Sequence, residues 1–148
     1  MRIAVAADSL DGVARLIPEI LTALGHEVAA YGALAPGVAE TDSQATWSTC
    51  ARQAALEVAE GRADQAVVAC WTGTGASIAA NKVPAIRAAL CTDASTAAGA
   101  RRWNDANVLA LSLRLLSAPI LAEILDSWFD TDPSADAEDI AAISLVEP

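Results

Sequence analysis

With 148 residues, 54% of them hydrophobic and 19% charged, the chain can bury one compact core without disulfides or a metal as staples, and a disordered composition is excluded. Its net charge of −10 opposes binding to nucleic acid or to an anionic membrane surface, since both rest on Lys and Arg contacts. The cations are also unevenly placed: the last is Arg114, and residues 115–148 hold eight acids and no Lys, Arg or His.

Short apolar runs rich in β-branched residues alternate with segments of helical period, the pattern of an α/β protein with a parallel sheet and crossover helices. The first strand, near 2–7, opens the chain with no charged leader or cleavage site ahead of it, and no later apolar run reaches roughly 18 residues. A soluble, unexported, cytoplasmic protein is expected. A helix follows near 12–24, where Val13, Leu16, Ile17, Ile20, Leu21 and Leu24 recur at spacings of three and four, and Gly25 stops it. His26 leads from an exposed turn into a strand near 27–31. Residues 32–44, with Gly32, Pro36 and Gly37, form the only long loop, a place where binding function often sits. A helix near 45–60, a strand near 65–70, a helix near 75–82 and a strand near 86–91 come next. Helices near 94–103 and 117–129 flank a last strand near 107–111. A weaker helix spans 134–143, capped by Ser134, with Asp136, Glu138 and Asp139 in its first turn. The chain reads as a single domain over 1–148, in which 130–148 is an acidic extension or docking segment.

Cys50, Cys70 and Cys91 are odd in number, far apart and outside any Cys-x-x-Cys or Cys/His ligand spacing. Neither a disulfide framework nor a zinc site is indicated, and reduced cytoplasmic thiols fit. The most informative stretch runs from Cys70 to Lys82. After the strand Val67-Val68-Ala69, Thr72-Gly73-Thr74-Gly75 can turn sharply into a helix, and the unpaired N–H groups of that turn would favour an anion or a developing oxyanion. It is not a dinucleotide fingerprint, because Ile78 stands where a third small residue belongs and the segment follows the third strand; Lys82 lies too far along for a phosphate-binding Walker loop. A thiol near a helix N-terminus ionises more easily and can act as base or nucleophile, although Cys70 can equally be a small buried apolar residue. Asp8, closing the first strand, either faces a ligand or caps the next helix.

Three ordered motifs now carry a resemblance: Cys-x-Thr-Gly-x-Gly-x-Ser-Ile-Ala-Ala-Asn-Lys at 70–82, Ile-Arg-Ala-Ala-Leu-Cys at 86–91, and Asn-Asp-Ala-Asn-Val-Leu-Ala at 104–110 with Arg114 close behind. Over roughly residues 1–130 the chain resembles the ribose-5-phosphate isomerase B family, which includes the galactose-6-phosphate isomerase subunits. The resemblance implies a doubly wound, flavodoxin-like (Rossmann-like) sheet of five parallel strands with helices on both faces. It implies protomers that form a homodimer or tetramer, with an active site shared between two chains. The implied chemistry is aldose–ketose isomerisation through an enediolate, without metal or organic cofactor.

Carried over by position, Cys70 matches the catalytic thiol, and Trp71, Thr72, Gly73, Thr74 and Gly75, with Ser77 just beyond, match the anion-stabilising loop. Asp8 matches the carboxylate at the end of the first strand, Asn104 the substrate-contacting asparagine and Arg114 an arginine near the phosphate end. Trp47 falls where the family has the aromatic residue of an Asp-Tyr-Pro segment. Several family groups are replaced. Ser9 stands where histidine commonly follows the aspartate, Trp103 stands for the ring-opening histidine, and Trp71 for a loop glycine. The basic segment that grips phosphate is replaced by Asp132-Pro-Ser-Ala-Asp-Ala-Glu-Asp139.

A phosphate dianion needs charge-assisted donors, and acids there repel it. Trp47, Trp71 and Trp103 either line an aromatic wall or pack at subunit interfaces. Three readings follow: an isomerase or epimerase of a non-phosphorylated or otherwise atypical sugar-like carbonyl compound; a non-catalytic or partner-dependent subunit completed by a paralogue; and a sugar-phosphate isomerase whose phosphate site is rebuilt from Arg101, Arg102 or Arg114.

Overall fold

The computed structural model describes residues 1–147; Pro148, the end of the expected acidic segment, lies outside the described residues. Five parallel strands, β1 (Arg2–Ala7), β2 (Glu27–Gly32), β3 (Gln65–Cys70), β4 (Ala88–Leu90) and β5 (Val108–Ser112), form one sheet in the order β2-β1-β3-β5-β4. All neighbours pair in parallel. The doubly wound architecture expected from the sequence is present, with β5 lying inside β4 where a flavodoxin order would place them the other way round. Strand order reverses between β1 and β3, so the carboxyl ends of these two strands open the crevice in which such sheets hold ligands.

The two faces are packed differently. Helices α1 (Leu16–Ala23), α4 (Ala94–Asn104) and α5 (Ala118–Phe129) cover one face with large side chains, including Ile17, Leu21, Leu121, Ile124, Leu125 and Trp128. Helices α2 (Trp47–Ala59) and α3 (Thr74–Ala80) cover the other almost entirely with small ones. There Cys50, Ala51, Ala54, Ala55, Ala76, Ala79 and Ala80 meet Ala4, Ala6, Ala66, Val68, Cys70, Val108 and Ala110. Short side chains let the helices approach the sheet closely, which is the physical use of the alanine-rich composition.

Several boundaries differ from the sequence expectation. Helix α1 starts at Leu16, not near 12, because Gly12 takes a left-handed φ of +56° and lies so close to Leu113 that a Cβ would stand 2.5 Å from its carbonyl oxygen. Leu24 sits past the helix end and is exposed, whereas Val13 is buried from the preceding turn. Gly25 (φ +86°) does end the segment. His26 is half-buried, its ring 4.5 Å from that of Phe129. A short 3-10 turn, Ser43–Ala45, closes the long loop ahead of α2. The last helix, α6 (Ala137–Ser144), is capped by Asp136, whose carboxylate accepts from the Glu138 N–H; Ser134 accepts instead from the N–H of Asp136.

The asymmetry of the two faces is testable. Ala54→Leu, which adds bulk at a fully buried position between α2 and the sheet, is expected to cost about 1–3 kcal/mol by overpacking, read from denaturant midpoints. Leu121→Ala on the opposite face is expected to cost about 2–5 kcal/mol by leaving a cavity.

Candidate active site

Alternation along the strands aims Ala4, Ala6 and then Asp8 toward α2 and α3, and on β3 it aims Ala66, Val68 and Cys70 the same way. Ala7 pairs with Ala69, so Asp8 and Cys70 stand side by side at the switch point. Cys50 of α2 closes this corner: its Cβ and Sγ lie 2.7 and 3.1 Å from where a Gly32 side chain would begin, which explains the glycine, with φ +63°, at the end of β2. Burial, reinforced by the charge of Asp8, pushes the Cys50 thiol up to about 12. Cys91, at the far strand end, is also pushed up to about 12 by burial. Both are therefore neutral thiols at physiological pH. Cys70 is 5% exposed.

Asp8 caps no helix, since α1 begins eight residues later with Arg15 at its cap. Its Oδ1 is buried without a hydrogen-bond partner among the described residues. Burial, with Asp11 and Glu40 nearby, raises its carboxyl above the ordinary range, against the opposing bonds from its own and the Ser9 N–H groups. The Ser9 hydroxyl accepts from the Asp11 N–H at 3.3 Å.

From Cys70 the chain turns through Trp71, Thr72 and Gly73 into α3. Gly73 is the left-handed cap (φ +77°), and a Cβ there would lie 2.5 Å from Leu90 Cδ1 and 2.9 Å from the Leu111 carbonyl. The turn is pinned from β5: Leu113 and Arg114 N–H groups donate to the Cys70 and Trp71 carbonyls at 3.0 and 3.1 Å, and the Ser112 hydroxyl donates to the Trp71 carbonyl at 3.0 Å. The N–H groups of Thr74, Gly75 and Ala76 find no acceptor among the described residues, while that of Ser77 is bonded to the Gly73 carbonyl. Thr72 and Thr74 hydroxyls share a hydrogen bond of 2.8 Å. Trp47, at the start of α2, lays its ring on Gly75, where an added Cβ would meet Cε3 at 2.9 Å. Trp71, next to Cys70 in the chain, is 53% exposed, and Arg114 is exposed with no ion pair among the described residues.

Trp103 and Asn104 are elsewhere. Helix α4 begins at the carboxyl end of β4 and runs back, so its last turn reaches the amino end, where the Asn104 carbonyl accepts from Arg87 Nε. Arg87 is level with Asn107, and Cys70 with Ser112, five residues further along β5, on the order of 16 Å. One chain therefore does not bring Asn104 to Cys70. Trp103 lies flat on Gly99, one turn back, and is 58% exposed. It stands with Asn104 between a cavity of about 530 Å³ bounded by α6 and β4 and a groove of about 490 Å³ along α4.

Sequence reasoning gave no role to Asn81, Arg87, Asp105 or Asn107, although all four stand in the motifs that carried the resemblance. The Asn81 carboxamide donates to the Ala88 carbonyl and accepts its N–H, both at 2.8 Å, along the outer edge of β4. Asn107 accepts from the Arg87 N–H and donates to the carbonyl of Ala85, a residue held at φ +65°.

Two variants test this geometry. Gly73→Ala forces a side chain into Leu90 and the Leu111 backbone at a left-handed φ, and is expected to lower the thermal midpoint strongly, by about 2 kcal/mol or more of stability. Asp8 titrates above its unfolded value, so its contribution is most favourable below the unfolded pKa and is lost as pH rises through the folded one. Asp8→Asn is accordingly expected to raise the thermal midpoint at pH 7, with the gain vanishing in acid near the unfolded carboxylate range.

Comparison with known proteins agrees with this arrangement. The family model described as Ribose/Galactose Isomerase matches residues 3–143. The chain is 38% identical over 112 residues to the ribose-5-phosphate isomerase B of Escherichia coli, covering 71% of this chain and 74% of that one. It is 42% identical over 79 residues to the galactose-6-phosphate isomerase subunit LacB of Clostridium acetobutylicum, covering 53% and 46%. A solved ribose-5-phosphate isomerase B of Clostridium thermocellum superposes with a TM-score of 0.86 at 33% identity over 99% of this chain and 95% of that one. With its thiol, glycine turn and asparagine motif on that same frame, the chain belongs to the ribose/galactose isomerase family of sugar-phosphate isomerases.

Proposed function

We propose that this member of the family moves a proton between two adjacent carbons, one of them the carbonyl carbon, through an enediolate, on a sugar-like substrate whose far end is not a phosphate dianion. The observation that carries the chemistry is the pairing of Cys70 with the free N–H groups of Thr74, Gly75 and Ala76. Cys70 takes the proton α to the carbonyl, and the N–H groups hold the oxygen on which charge develops. Thr72 and Thr74 hydroxyls steady the turn, and Asp8 lies beside the thiol to take or return a hydroxyl proton of the substrate. Ser9, Ser77, Trp47 and Trp71 line the approach.

The substrate class rests on charge. Asp8, Asp11 and Glu40 gather at the mouth, where Arg114 is the cation joined to the turn. Around Asn104, Arg87 and Arg101 are already neutralised by Asp105 and Glu147, which leaves the exposed Arg102 as the cation of α4 without an ion pair among the described residues. A dianion would find little to replace its hydration, whereas a neutral polyol ring suits the faces of Trp47, Trp71 and a partner's Trp103.

The separation of Asn104 from Cys70 supports a site completed by a second chain, which would bring its own Trp103–Asn104 corner over the turn. That same separation, with the likeness to a protein named as a subunit, favours a second reading in which a paralogue supplies the corner.

Solvent deuterium exchange into a panel of neutral aldoses, ketoses and cyclic α-hydroxyketones, with ribose 5-phosphate alongside, tests the proposal. Exchange into a neutral compound is expected, falling roughly 10²-fold or more in Cys70→Ala. Equal exchange by wild type and Cys70→Ala overturns the role of the thiol, and efficient turnover of ribose 5-phosphate overturns the substrate class. Mixing Cys70→Ala with Asn104→Ala is expected to restore activity by forming one intact shared site. Activity that appears only with a co-encoded paralogue decides for the second reading.

A further inference from the structure

We propose that Glu147, near the end of the chain, latches Asn104 into its working position through Arg87, so that the acidic C-terminal helix governs the substrate-facing corner of α4. The inference rests on the reading that Asn104 meets substrate.

Arg87 is the hub. Its Nε donates to the carbonyls of Asn104 and Asp105 at 3.1 and 2.9 Å, its Nη2 to the Asp105 carboxylate at 3.1 Å, and its Nη1 to Glu147. The turn that it holds is a left-handed one, in which Asp105 ends α4 at a φ of +41°. Aspartate enters that region more readily than most side chains but less readily than glycine, so bonds from outside the turn help to hold it. A guanidinium supplies such bonds well, since its planar fork can serve two carbonyls and two carboxylates at once. Arg101 adds a second bond to Asp105 from within α4, at 3.2 Å. The Asn104 carboxamide itself makes no hydrogen bond among the described residues and is left free for a ligand.

Helix α6 contributes no buried residue to the core. It spans the cavity of about 530 Å³, with Ala142, Ile143 and Val146 on one wall and Trp103, Asn104 and Arg87 on the other. Two polar contacts tether it: the Ser134 N–H to the Arg102 carbonyl at 2.8 Å before the helix, and Glu147 to Arg87 after it. A strap so weakly packed is held by its ends, and the end at Glu147 is the one that touches the hub.

The test uses the full chain with Glu147→Gln and Asn104→Ala, singly and together. In Glu147→Gln, amide hydrogen exchange is expected to rise roughly tenfold across 104–107 and 137–147, the size of a lost charge-assisted hydrogen bond, with β1, β3 and β5 unchanged. On a compound turned over in the deuterium panel, kcat is expected to fall at a nearly unchanged thermal midpoint, with Glu147→Asp recovering part of it. The double variant is expected to be no worse than Asn104→Ala alone. Unchanged exchange at 104–107 overturns the latch, and additive losses overturn its action through Asn104. Absence of any turnover by the wild type overturns the reading of the site, while the exchange result still decides whether the latch exists.

Discussion

Between Leu90 and the Leu111 carbonyl there is no space for a side chain at position 73, and the candidate-site end of the molecule is organised by that closeness. A glycine at φ +77° lets β3 end in Cys70 and α3 begin four residues later. The same contact ties the turn to β5, and the amides of Leu113 and Arg114, just past that strand, reach across to it. Thiol, free amides and Arg114 thus form one rigid unit.

Much of this was legible in the sequence because the strands and the turn are encoded locally. β-Branched runs marked the strands, and Thr-Gly-Thr-Gly after such a run has few conformations open to it. The start of α1 was not legible: helical periodicity continues through Val13, but a tertiary contact between Gly12 and Leu113 holds that turn open. The cap of α6 was misplaced by two residues because Ser134 and Asp136 are both competent, and only the fold shows which amide each receives. The distance between Cys70 and Asn104 was hidden by motif order, which treats them as parts of one site. Topology separates them, since a helix leaving the carboxyl end of one strand returns to its amino end.

The charges of the chain fall into place by the same logic. Asp8, Asp11 and Glu40 lie near one another past the end of β1, and Arg101 of α4 and Arg87 just ahead of β4 are already paired with acids of the chain, while Arg102 stays exposed. The thiol and the glycine turn thus sit on the family's frame, whereas the segment rich in acids touches the rest of the chain through Ser134 and Glu147.

Asn81 carries a consequence for assembly. Its carboxamide presents to Ala88 the donor and acceptor that a neighbouring strand would present, so the exposed margin of β4 is already answered at that residue by its own chain. A sheet finished in this way offers a poor template for further strands. At this residue, extension of the sheet from one copy to the next is disfavoured, and helices and loops are the surfaces that stay open to contact.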